Sequence, residues 1–150
     1  MKNEIQLHGI AQDIKIVPYE HHTKYHETDQ QGIIHHSNFI KWMEDARMNL
    51  MEQIGLSYKQ MEKMEINSPI VSQSIEYISD VKFDDIVVID TKLLSYDGYI
   101  MEVAYRIYDK NTGDDRAIAK SKHCFKNKAG MKISLKRKYP ELDTKFFEMK

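Results

Sequence analysis

Ser37-Asn38-Phe39-Ile40-Lys41-Trp42-Met43-Glu44-Asp45-Ala46-Arg47-Met48-Asn49-Leu50-Met51-Glu52-Gln53-Ile54-Gly55 is the stretch that decides the architecture. Phe39, Met43, Ala46, Leu50 and Ile54 recur at three- and four-residue spacing, which predicts a helix from Ser37 to about Ile54. Ile40, Trp42 and Met51 widen the apolar surface beyond one stripe, so the helix should be buried over much of its circumference. Gly55 stands just past its end, where a left-handed cap favours glycine. Ser37 or Asn38 is placed to cap its start.

Downstream the period changes from 3.6 to 2. In Tyr99–Tyr108, Tyr99, Met101, Val103, Tyr105 and Ile107 share one face, with Glu102 and Arg106 on the other. In Ile86–Leu93, Val87, Ile89 and Leu93 share a face against Asp90 and Lys92. Asp97-Gly98 and Asn111-Thr112-Gly113 supply turns. The next strand, about Arg116 to Phe125, carries Ala117, Ala119 and Ser121 on one face, small enough for a helix to approach closely. Residues 70–79 and Ile14–Tyr25 read as further strands, Met131–Leu135 as a short edge strand, and residues 1–12 as a loose lead-in. The order is strand, long buried helix, antiparallel meander. One sheet and one apolar helix bury each other best if the sheet curls around the helix, an α+β architecture of the hotdog type. The apolar residues left on the sheet's other face call for a second subunit.

The 150 residues suit one domain, residues 1–150. A chain of this size buries roughly 68–70% of its unfolded surface and needs no disulfide or metal to fold. A net charge of -1 gives no global attraction to nucleic acid or to membrane phosphate, and neither is expected as a partner. Cys124 is the only cysteine, which excludes an internal disulfide and fits a reducing cytoplasm. No window approaches the roughly 20 apolar residues of a membrane helix, and the N-terminus lacks the apolar run of a signal peptide.

The chemistry is concentrated in Tyr25-His26-Glu27-Thr28-Asp29-Gln30-Gln31-Gly32-Ile33-Ile34-His35-His36-Ser37-Asn38-Phe39, which leads from a strand through a loop into the helix. Asp29 brings a carboxylate close to an apolar core, and Gly32 lets the backbone bend. Around His36 and Ser37 the free N–H groups of a helix N-terminus can hold an oxyanion. A carboxylate facing such donors can carry out acyl transfer, either attacking a carbonyl or activating a water that does.

This run resembles the signature of hotdog thioesterases of the hydroxybenzoyl-CoA thioesterase family, especially its bacterial short-chain acyl-CoA branch. Thr28, Asp29, Gly32, Ile33-Ile34, His36, Asn38 and Phe39 match, as do Glu44, Ala46 and Arg47 in a Glu-x-Ala-Arg pattern, and the resemblance spans about residues 15–130. It implies hydrolysis of a small or medium acyl-CoA, with no cofactor beyond the CoA of the substrate. It further implies Asp29 as nucleophile or general base, the His36 backbone N–H as oxyanion donor, Gly32 as the residue shaping the loop, and a dimer or tetramer with the site between subunits. Glu44 is a second candidate carboxylate. His35, Gln30-Gln31 and Asp80 depart from the pattern, which leaves acyl preference open. An acyl carrier protein in place of CoA, or a non-catalytic acyl-CoA-binding domain, are the alternatives.

Plainer roles stand beside these. Asp29 also suits a loop or capping position, and Glu44 with Arg47 a local ion pair. His21, His22, His26, His35 and His36 read as surface or loop histidines and not as a metal cluster, because adjacent residues in an extended chain point to opposite faces. Lys132, Lys136, Arg137 and Lys138 are a solvated surface that could also meet CoA phosphates, and Cys124 is inert packing.

Overall fold

The computed structural model describes residues 16–149. The expected helix is α1, Ser37–Gln53. Gly55 ends it with φ +85°, and the Gly55 and Leu56 N–H groups donate to the carbonyls of Glu52 and Met51, which together form a Schellman cap. Its start differs from expectation. His36 is the N-cap and makes no side-chain cap. Asn38 is buried, and its amide donates instead to the carbonyls of Glu27 (2.9 Å) and His35 (3.2 Å). The loop before the helix therefore claims the side chain that was expected to cap it.

Five strands form one antiparallel sheet: β1 (Tyr19–His22), β3 (Ile70–Tyr77), β4 (Ile86–Tyr96), β5 (Ile100–Asp109) and β6 (Asp115–Cys124), in the order β1-β4-β5-β6-β3. A two-residue strand β2 (Ile66–Asn67) pairs with β7 (Lys126–Asn127). Helix α2 (Tyr58–Lys63) follows α1, and α3 (Leu135–Lys138) and α4 (Pro140–Met149) end the chain. The predicted inner face holds except at Tyr99: Val87, Ile89, Leu93, Met101, Val103, Tyr105, Ile107, Ala117, Ala119 and Ser121 are all buried, whereas Tyr99 precedes β5 in the turn and is exposed. Phe39, Trp42, Met43, Ala46, Leu50 and Met51 of α1 close the core from the other side. This is the hotdog arrangement, a sheet wrapped on one long helix.

Three elements depart from the sequence reading. The backbone of α1 lies closest to β4 and β1, not over the small residues of β6. The room above β6 is taken by the long side chains of Arg47 and Tyr105, which reach toward Ser121. Residues 131–135 do not form an edge strand: Lys132 makes one isolated bridge to Lys126, and α3 begins at the buried Leu135. The first strand is shorter than Ile14–Tyr25, because a 3-10 turn over Tyr25–Glu27 replaces its end. The expected lead-in 1–12 lies outside the described residues.

Candidate active site

Between β1 and α1 the chain makes a small hairpin. The His35 N–H donates to the Glu27 carbonyl (2.8 Å), Thr28 bridges Ile34, and the Asp29 N–H donates to the Ile33 carbonyl (2.8 Å). Asp29 therefore stands at the turn. Gly32 has φ +80°, and its N–H closes the turn on the Asp29 carbonyl at 3.1 Å. Nothing surrounds the space where a Cβ would stand, so the backbone angle and not crowding favours glycine here. The half-buried Asp29 carboxylate accepts from the Gln31 N–H at 2.8 Å through Oδ1.

The hairpin is anchored on both flanks. Outside, the Ile34 N–H donates to Val81, Ile33 bridges Lys82, and Thr23 Oγ1 bonds the carbonyls of Lys82 and Asp85. The linker between β3 and β4 thus holds the loop in place. Inside, the Glu27 carboxylate is 6% exposed and accepts three hydrogen bonds, from Trp42 Nε1 (2.9 Å), from the Lys24 N–H (2.6 Å) and from His21 Nε2 (3.0 Å). Burial pushes this carboxyl up, but the bonds from His21, Trp42 and Lys24 outweigh burial and hold it below its ordinary value.

His36 ends the hairpin in a helical conformation (φ −56°, ψ −29°). Its carbonyl accepts from the Phe39 N–H and from Tyr77 Oη, while its own N–H has no acceptor among the described residues. The His36 ring is exposed, stacked on His35 at 4.2 Å and edge-on to Tyr77 at 6.2 Å. Asp29, Gly32 and His36 thus share one pinned loop, with no direct bond between the Asp29 carboxylate and His36. An acyl group lying over this loop would meet a carboxylate from the turn and a free N–H from the helix start.

Glu44 is not part of this loop. It is exposed two turns along α1 and lines a separate cleft with Arg47. The expected Glu44–Arg47 ion pair does not form, because the Arg47 guanidinium turns inward to Tyr105 Oη. The histidines also differ from a plain surface set. His21 is part-buried against Glu27 and Trp42, whereas His22 pairs with Asp84 at 2.6 Å and His35 with Ser37 at 2.8 Å. The residue that sequence reasoning missed is Glu27. Its alternation with His21 and Trp42 across a strand, a turn and a helix gives no local pattern to read. Cys124 is buried in β6, as expected.

A family model described as "Thioesterase-like superfamily" matches residues 23–144. The chain belongs to this superfamily. The thioesterase-like chain is 32% identical over 128 residues to the Bacillus subtilis protein named "Putative acyl-CoA thioesterase YneP", covering 85% of this chain and 92% of that one. It is 23% identical over 83 residues to "Acyl-CoA thioester hydrolase YbgC" of Escherichia coli O6:H1, covering 55% and 62%. Among solved structures it superposes on a DHNA-CoA thioesterase from Staphylococcus aureus with a TM-score of 0.83 and 25% identity over 87% of both chains. Within this thioesterase-like fold, no helix among the described residues is long and apolar enough to cross a membrane.

Proposed function

We propose that this protein hydrolyses a small or medium acyl-CoA to the free acid and CoA, with the loop from Glu27 to Asn38 as its catalytic element. The observation that carries the reading is the pairing, on one pinned hairpin, of the Asp29 carboxylate with the unused His36 N–H at a helix start. The thioester oxygen sits on that N–H, which holds the negative charge developing there. Asp29 then acts in one of two ways. As a base it takes a proton from water, the hydroxide adds to the carbonyl carbon, the C–S bond breaks and the thiolate leaves. As a nucleophile it forms a mixed anhydride with release of the thiolate, and water cleaves the anhydride afterwards. Neither route draws on a cofactor.

The reading includes a homo-oligomer with the site at its interface, placed in the cytoplasm. Supporting the first part, β3 is an eight-residue edge strand that exposes Ile70, Val71 and Tyr77, and an open apolar edge of this length invites pairing with a second copy. Supporting the second, the single thiol is free and buried. The test is a panel of acyl-CoA and acyl-carrier-protein thioesters with detection of free thiol. Turnover of a CoA thioester is expected; turnover of carrier-protein thioesters alone would replace CoA as the carrier, and none of either would end the enzyme reading.

A further inference from the structure

Arg47 stands on α1 with 5% of its surface exposed. Its Nη1 donates to Tyr105 Oη at 3.2 Å, and its buried Nε has no acceptor among the described residues. Among the described residues no carboxylate lies within 4.0 Å of the guanidinium. A buried cation is normally paired, because desolvation of an unpaired one is costly.

The groups behind Arg47 cannot supply the missing charge. Tyr105 Oη bonds Ser121 Oγ at 2.7 Å, Ser121 Oγ bonds His123 Nε2 at 2.7 Å, and His123 Nδ1 bonds the Ser68 carbonyl at 3.0 Å. Because Ser68 can only accept, His123 carries its proton on Nδ1 and accepts from Ser121 at Nε2. Ser121 in turn accepts from Tyr105, and Tyr105 accepts from Arg47. The chain of bonds is complete and neutral. It fixes the guanidinium by one edge and leaves Nε without a partner.

In front of Arg47 lies a cleft of about 760 Å³, walled by Met48, Met61, Ile66, Pro69 and Ile70. Its rim carries Glu44, Glu62 and Glu65, all exposed, with Glu65 facing Lys128 at 4.0 Å. Charges on an exposed rim are screened by solvent, whereas the buried guanidinium is not. The cleft and the catalytic loop share two walls. His36 and Arg47 lie eleven residues apart on one helix line, ~16 Å along the axis at the rise of an α-helix. Strand β3 connects the same two places: Tyr77 Oη donates to the His36 carbonyl, and Ile70 lines the cleft. Ile40, 41% exposed, lies one turn beyond His36 and one turn before Glu44 on that helix face.

We propose that the cleft receives the distal end of the acyl group and that Arg47 binds a carboxylate there, so that the preferred substrates are ω-carboxyacyl thioesters. This rests on the thioesterase reading above. A planar carboxylate matches the guanidinium fork and supplies the charge that the fold omits. An alkyl chain ending in a methyl group fills the apolar walls but leaves Arg47 unpaired.

The experiment compares ω-carboxyacyl-CoA with alkyl acyl-CoA of equal length, over a graded series of lengths. Wild type is expected to favour the carboxylated member on the order of tenfold or more in kcat/KM, mainly through KM, as a charge-assisted hydrogen bond allows. Arg47→Met is expected to bring that ratio close to one. Equal or better use of the alkyl member by wild type at every length overturns the proposal, whatever becomes of the variant. Binding is read separately by calorimetry on Asp29→Asn. Carboxylate-selective binding without turnover by wild type would keep the subsite and sink hydrolysis, whereas turnover without selectivity in either assay would do the reverse.

Discussion

The indole N–H of Trp42 donates to the carboxylate of Glu27 at 2.9 Å, across fifteen residues of sequence and out of reach of bulk water. This bond ties α1 to the base of the hairpin that carries Asp29. The same carboxylate binds His21 of β1 and the Lys24 N–H, and the Glu27 carbonyl binds the His35 N–H and the Asn38 amide. Glu27 thus joins strand, turn and helix where the proposed catalytic loop begins. Its carboxylate is turned to these partners and holds the loop in position.

Glu27→Ala should leave the buried Trp42 indole N–H and two part-buried donors, His21 Nε2 and the Lys24 N–H, without this acceptor, and should cost on the order of 1–3 kcal/mol, the cost of an orphaned buried group. Glu27→Gln keeps the size and an acceptor for Trp42, so its melting temperature should fall less. Both should lower kcat by disturbing Asp29 and the His36 N–H together. Full kcat in a folded Glu27→Ala protein, measured by thiol release, would show that the loop keeps its shape without this anchor.

His123 sets a pH limit on the fold. It is fully buried, and its pKa is pushed down to about 4, first by burial and then by the nearby Arg47 charge, against the opposing bond to the Ser68 carbonyl. In the unfolded chain the same histidine titrates near 6.5. Between these values the unfolded state binds more protons, so stability falls as pH drops from 6.5 toward 4, by at most about 1.4 kcal/mol per pH unit from this residue. Protonation would also turn Nε2 from an acceptor into a donor, so the Ser121 hydroxyl would lose the acceptor it has there. Urea unfolding at several pH values should show this slope in wild type and a shallower one in His123→Gln. Parallel curves would remove His123 as the cause.

Much of the fold was legible because its signals are local. The apolar spacing of α1, the Gly55 cap, the alternation in β4 and β5 and the Asp97-Gly98 turn are each decided within a few residues. In that turn Asp97 Oδ1 accepts from the Tyr99 and Ile100 N–H groups, as the dipeptide leads one to expect. What escaped was settled by distant partners. Asn38 left the helix cap for the Glu27 carbonyl, Arg47 left Glu44 for Tyr105, and the small side chains of β6 made room for Arg47 rather than for the helix backbone. That Asp29 and His36 stand on one loop was readable because one motif carries both. Glu27 was not, because its partners lie on three different elements.

The edge of β3 makes a prediction about assembly. Val71 is 54% exposed on a strand with one open side. A lysine there should block pairing of the edge with a second copy. Light scattering is expected to find a dimer or larger for wild type and a shift toward monomer for Val71→Lys, with loss of turnover if the site lies between subunits. A monomeric wild type that is fully active would remove the interface from the site.

At His36 the ring and the backbone are separable. The φ of −56° is within the range that proline adopts, and the N–H that proline removes has no acceptor among the described residues. His36→Pro should therefore fold, yet lose turnover on the order of 100-fold or more, the scale of a lost oxyanion donor. His36→Ala should retain substantial activity. If alanine is as damaging as proline in a folded protein, the imidazole itself takes part.

Asp29 carries the chemistry in this reading, and its replacement is the most demanding test. Asp29→Asn keeps the side-chain oxygen that accepts from the Gln31 N–H, so the turn and the melting temperature should survive. The amide can neither take a proton from water nor attack a thioester effectively. Turnover should fall on the order of 100- to 10,000-fold if the carboxylate is a general base, and further if it is the nucleophile. KM should change little, because the lost interaction belongs to the transition state. Glu44→Gln is the internal comparison. Glu44 is exposed on the rim of the other cleft, two helical turns from the loop, so its loss should reduce turnover far less. Should Asp29→Asn stay near wild type while Glu44→Gln is dead, catalysis belongs to α1 and the hairpin serves only to hold the helix start in place.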